Sequence, residues 1–248
     1  MHPEVLTPHT LVPQLKAAAN SLALAPQDFG SQGVTRPLTA YLHRAVELVE
    51  AAGRADPEPA VALVRLLSCL DPPHGGPAAA HFVEFFTRAA NVVENAAYTV
   101  DTISPELVVT YYEAAASMRL PVHVYLCWDK SGIQLLLRSQ LQASTVTPSQ
   151  VMRLLRAWVA LVQATSSGTF CWRPAQVDLA CSCLRPGQLS PVELEGAIRA
   201  LGALSCSSWG IFAGIKALSP AIISRWVAQP SSYALSVCDL RLAAERHG

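Results

Sequence analysis

The chain has 248 residues, 51% of them apolar, which is enough to bury a sizeable core in one domain or two. Lys+Arg and Asp+Glu both number 18, so the net charge is zero, which excludes the whole chain as a generic polyanion binder. Seven cysteines, an odd number in so long a chain, exclude a disulfide-stapled miniprotein and fit free thiols in a reducing compartment.

In chain order, residues 1–10 read as extended. Thr10 is a candidate cap for a helix with Val12, Leu15, Ala19 and Leu22 on its apolar face, with Pro13 confined to its start. Residues 25–36 read as a loop. A helix over 38–52 places Leu38, Leu42, Val46 and Val49 on one face and stops at Gly53. Asp56-Pro57 opens the next helix, with Leu63, Leu66, Leu67 and Leu70 inward. The run Asp71-Pro72-Pro73-His74-Gly75-Gly76-Pro77 is the strongest break in the chain and the candidate boundary. A helix over 78–98 follows, with Phe82, Phe85, Phe86, Ala89, Val93 and Ala97 in line.

From 104 onward the sequence repeats. Ser104-Pro105, Thr147-Pro148 and Ser190-Pro191 stand 43 residues apart. A hydroxyl residue at an N-cap accepts from a free N–H of the first turn, and proline fits the position after it because its missing N–H has no partner there anyway. Apolar residues recur at the same offsets from each cap. They are Val108, Tyr111, Tyr112, Ala115 and Met118, then Val151, Leu154, Leu155, Trp158 and Leu161, then Leu194, Ala197, Ile198, Leu201 and Leu204. This is one face of a 3.6-residue helix held in register three times.

Second helices fill the gaps: Ile133, Leu136, Leu137 and Leu141 follow Cys127-Trp128, and Val177, Ala180, Cys181 and Leu184 follow Cys171-Trp172. Beyond them, Ser219-Pro220 and 232–246 read as further helices. A single hairpin cannot bury its apolar face alone, so neighbours must stack. The expected fold is therefore all-α, stacked helical hairpins forming a short α-solenoid of about ten helices. Residues 1–76 are an N-terminal helical region, either diverged repeats or a capping bundle, and 77–248 are the repeat region.

Ser190-Pro191-Val192-Glu193-Leu194, continuing through Ile198, Ala200, Leu201 and Leu204, resembles a helix of the organellar helical-repeat proteins. In their octotricopeptide, heptatricopeptide and FAST-kinase-like repeats such a helix returns about every 35 to 45 residues. The resemblance covers 104–218 in part. It implies a mitochondrial or plastid protein that binds RNA or sits in a ribonucleoprotein, the mitochondrial ribosome first. Members of these families are generally longer, and the RAP-like C-terminal domain that many carry is not recognisable here.

The charge is unevenly placed: net −6 over 1–118, +5 over 119–185 and +1 over 186–248. Lys130, Arg138, Arg153, Arg156, Arg173 and Arg185 form the basic stretch and are the candidate RNA-phosphate contacts. Trp128 and Trp172 are candidates for base stacking, but their equivalent places in the repeat are those of packing residues. The acidic Glu47, Glu50, Asp56 and Glu58 are either a face for a basic neighbour or a solvated helix surface.

Cys171, Cys181, Cys183 and Cys206 lack paired Cys-x-x-Cys spacing, and Asp71, His74 and His81 flank a Pro/Gly loop, so no metal and no cofactor is expected. No nucleophile elbow, phosphate loop, dinucleotide fingerprint or His-Glu-x-x-His is present, and nothing supplies a base for Cys206, so the expectation is a non-catalytic protein. The charge-free runs 157–172 and 200–215 are too short to span a membrane. No secretory signal or arginine-rich presequence is visible: the first 30 residues hold Lys16 against Glu4 and Asp28. Expected partners are RNA, with rRNA foremost, and protein subunits of a large complex, and no small-molecule substrate. The competing reading is a protein-only scaffold, such as an accessory subunit of a respiratory-chain or ATP-synthase complex, which zero net charge favours.

Overall fold

The computed structural model describes residues 6–24, 27–28, 35–71, 76–99, 103–118, 120, 132–164, 174–184 and 189–205. The fold is all-α. The described helices are α1 (Leu11–Leu24), α2 (Thr35–Ala52), α3 (Glu58–Ser68), α4 (Gly76–Thr99), α5 (Pro105–Ser117), α6 (Gly132–Gln142), α7 (Pro148–Ala164), α8 (Pro174–Cys183) and α9 (Pro191–Ser205). Extended pairing among the described residues is limited to one parallel rung, Gln27 with Leu70 and Asp28 with Asp71, which ties the loop after α1 to the end of α3. The helices expected beyond Leu204 and the pairs Cys127-Trp128 and Cys171-Trp172 lie outside the described residues.

The three repeated caps form as their chemistry dictates. Ser104 is extended, and its Oγ accepts from Leu107 N–H at 3.3 Å. At Thr147 and Ser190 the bonding is reciprocal. Thr147 Oγ1 accepts from Gln150 N–H and Gln150 Oε1 accepts from Thr147 N–H, and Glu193 does the same for Ser190. Each reciprocal pair satisfies two of the free donors of the first turn. All fifteen apolar positions matched across the three copies are buried.

The pattern reaches further toward the N-terminus than the sequence alone suggests. Asp56-Pro57 opens α3 with Asp56 Oδ1 accepting from Glu58 N–H at 3.0 Å. Counted from Asp56, the same five offsets are Ala60, Leu63, Val64, Leu67 and Leu70, and every one is buried. Thr7 and Thr10 exchange backbone-to-hydroxyl bonds ahead of α1, another reciprocal cap directly followed by proline, here Pro8. Val12 departs from expectation: it is half-buried, and Leu11 takes the inward place beside Leu15, Ala19 and Leu22. Ala97 is likewise half-buried, with Ala96 inward.

Two compact units divide between Leu137 and Arg138, inside α6. In the first unit the packing alternates. The most extensive contacts are α1 with α3 and α3 with α5, while α2 lies on α4. Every second helix thus stacks on its own kind, as neighbouring helical hairpins do. The long helix after the Pro/Gly-rich break, α4, packs on α2 and α3 in this same unit. Helix α3 is the centre: residues 59–64, 66 and 67 are all buried, with Arg65 exposed. In the second unit the most extensive contact is α7 with α9, again the first helices of successive copies. A turn of the Schellman type ends α6, with Ser144 at φ 53° and Thr145 N–H bonded to Gln140 O at 3.1 Å.

Helices α2 and α4 run in the same direction, since His43 lies beside His81 and Glu50 beside Arg88, both 38 residues on. Arg88 donates from Nε and Nη2 to the two carboxylate oxygens of Glu50, at 2.8 and 2.6 Å. These hydrogen bonds hold the Glu50 carboxyl below its ordinary range. A carboxylate lowered in the folded state stabilises above its unfolded pKa, and this is lost as pH falls through the folded value. Both side chains are partly exposed, at 31% and 42%, so the stabilisation at neutral pH is under about 1 kcal/mol. Glu50→Gln should lower the urea midpoint slightly at pH 7, and the gap from wild type should close in acid.

Candidate interaction surface

The basic residues expected to meet RNA divide into two groups. Lys130, Arg173 and Arg185 lie outside the described residues. Arg138, Arg153 and Arg156 are placed. Arg153 and Arg156 stand one turn apart on α7, between the buried residues Val151, Met152, Leu154, Leu155, Ala157 and Trp158. The inward stripe of α7 is so broad that these positions are left to the outer side: Arg156 is exposed and Arg153 half-buried. Arg138 is exposed on α6.

Arg156 also has a role within the second unit. A Cβ on Gly196 of α9 would stand 3.8 Å from its Nη2 and 3.3 Å from Met152 Cε, so glycine lets α9 approach α7 closely here. The Glu193 carboxyl is held below its ordinary range, first by the Ser190 hydroxyl and backbone N–H and to a lesser extent by the charge of Arg156. The guanidinium of Arg156 therefore lies beside Gly196 of α9. Arg199 on α9 is paired with Glu195 at 2.6 Å.

The acidic candidates of the first half are drawn into the fold. Glu58 pairs with Lys16 of α1 at 2.7 Å, Glu47 with Arg44 at 3.0 Å and Glu50 with Arg88. Asp56 is spent on the start of α3. Lys16 and Arg88 stand 42 and 38 residues from their acids, so those two pairings follow from packing, whereas Arg44 and Glu47 are an i,i+3 pair on α2.

Trp158 is fully buried, a core residue. Cys181 is buried, and the Cys183 thiol donates to Leu141 O at 3.3 Å, with burial pushing its pKa up. Both are placed as small packing residues. Cys171, Cys206, Trp128, Trp172 and His74 lie outside the described residues. Among the described residues no group of three or more His, Cys, Asp and Glu side chains is placed to hold a metal ion, and no helix is long and apolar enough to cross a membrane.

Large apolar side chains are exposed at Tyr98, Leu135 and Val192, by 61%, 58% and 75%. Sequence reasoning did not single these out, because each sits in a helix whose other apolar residues point inward. In comparisons with protein-family models, curated proteins and solved structures, the chain matches none.

Proposed function

We propose that the protein is a non-catalytic helical-repeat subunit of a mitochondrial ribonucleoprotein, the mitochondrial ribosome in the first place, contacting RNA through its basic middle and proteins through its other faces. The observation that carries the reading is the repeated capped helix itself: three starts 43 residues apart, each with the same buried face, and with arginines on the outer side of the middle copy. Stacked repeats of this kind build extended binding surfaces. The organellar assignment rests on the resemblance of 190–204 to organellar repeats. Arg138, Arg153 and Arg156 would contact phosphates in this reading, with Lys130, Arg173 and Arg185 extending the set.

The test is RNA affinity against salt for the full chain and for a variant with Arg153→Glu and Arg156→Glu. Each phosphate contact contributes about 0.7 to the log–log salt slope on single strands, so the variant should lose a slope of about 1.4 or more, with its helical content unchanged. A protein-only scaffold in a respiratory-chain or ATP-synthase complex is the second reading. It is favoured by the exposed Tyr98, Leu135 and Val192.

A further inference from the structure

We propose that His43 and His81 form a two-imidazole site for a divalent transition-metal ion that bridges α2 and α4. The two rings meet edge-on across adjacent, co-directional helices, with centroids 6.1 Å apart and planes at 69°. Phe85, one turn after His81, packs edge-on against His43 at 4.8 Å and fixes that ring. His81 is exposed, so it is the partner that adjusts.

Two imidazoles on one tetrahedral ion, with metal–nitrogen bonds of about 2.0–2.1 Å, place their centroids about 5 Å apart. The pair therefore needs about 1 Å of closure, within reach of a rotation of the exposed His81 side chain. Imidazole pairs suit zinc, nickel and copper and do not suit magnesium or calcium. The carboxylates one turn along, Glu47 and Glu84, are engaged by Arg44 and Arg88. Two protein ligands and water thus complete the shell, as the absence of a three-residue cluster among the described residues requires. An ion held there pins the second helices of two neighbouring hairpins together, in the folded state alone. This inference stands apart from the RNA reading and does not depend on it.

The experiment is thermal unfolding of the tag-free full chain in EDTA and in excess Ni²⁺, for wild type, His81→Ala and His43→Gln. Wild type should melt higher with Ni²⁺, reversibly by EDTA. Each single variant should lose the shift, with affinity weakened at least about tenfold, because chelation needs both rings. His81→Ala removes an exposed side chain and should melt like wild type in EDTA, which separates loss of the ion from loss of the fold. An equal shift in His81→Ala, from ions held by other histidines or cysteines, overturns the proposal, and so does a wild type that Ni²⁺ leaves unshifted or destabilises.

Discussion

Trp158→Ala should cost about 3–5 kcal/mol of stability, the usual range for deleting a fully buried large aromatic side chain. Among the described residues Trp158 is the largest of the fully buried side chains, and it lies at the eleventh position after the Thr147 cap. Its counterparts in the other copies are Ala115 and Leu201, both fully buried, so the second copy fills with one side chain a space that its neighbours fill otherwise. The cavity left by alanine cannot close, because α7 is held on both sides of it by Leu154, Leu155 and Leu161. Denaturant unfolding followed by far-UV circular dichroism checks this without relying on the lost indole. Trp158→Phe should recover a large part of the loss. A cost near zero would mean that the repeated face is not the core of the second unit.

Gly132→Ala should destabilise the first unit. A Cβ at Gly132 would stand 2.8 Å from the backbone carbonyl of Glu94 and 2.8 Å from two ring carbons of Tyr98. Tyr98 is exposed and can swing away, but the Glu94 carbonyl belongs to the backbone of α4 and cannot. The start of α6 must then withdraw from α4, breaking the bond from Ile133 N–H to Glu94 Oε2, now 3.2 Å. Overpacking of this kind costs about 1–3 kcal/mol, more than the gain of up to about 1 kcal/mol from alanine's better helix propensity. Amide exchange at Ile133 and the residues after it should quicken in the variant. Removing the ring as well, with Tyr98→Ala, should not restore the contact, since the carbonyl remains.

What the sequence makes legible here is local chemistry and its repetition. Ser104, Thr147 and Ser190 cap helices because hydroxyl-then-proline has few other uses, and the apolar offsets after each cap leave one helix face to bury. The copy at Asp56 escapes the same reading for two reasons: the residue before the proline is an acid, and it stands 48 residues before Ser104 where the later interval is 43. The rung between Gln27–Asp28 and Leu70–Asp71 has no period to detect over two residues. For the candidate surface, the outward placement of Arg153 and Arg156 follows from the apolar residues around them. Gly196 becomes a neighbour of Arg156 only when α9 packs on α7. In the same way, Glu50 and Glu58 look like a free acidic face until α4 and α1 bring Arg88 and Lys16 to them.

The measurement that bears most directly on the central claim is the affinity of the full chain for RNA as salt is raised. A helical-repeat subunit that contacts phosphates through Arg138, Arg153 and Arg156 should bind single-stranded RNA with a log–log slope of about −2 or steeper, flattened by reversing Arg153 and Arg156. No binding at low salt, or binding whose slope is untouched by the reversals, would contradict the account and leave the basic stretch as a face for proteins.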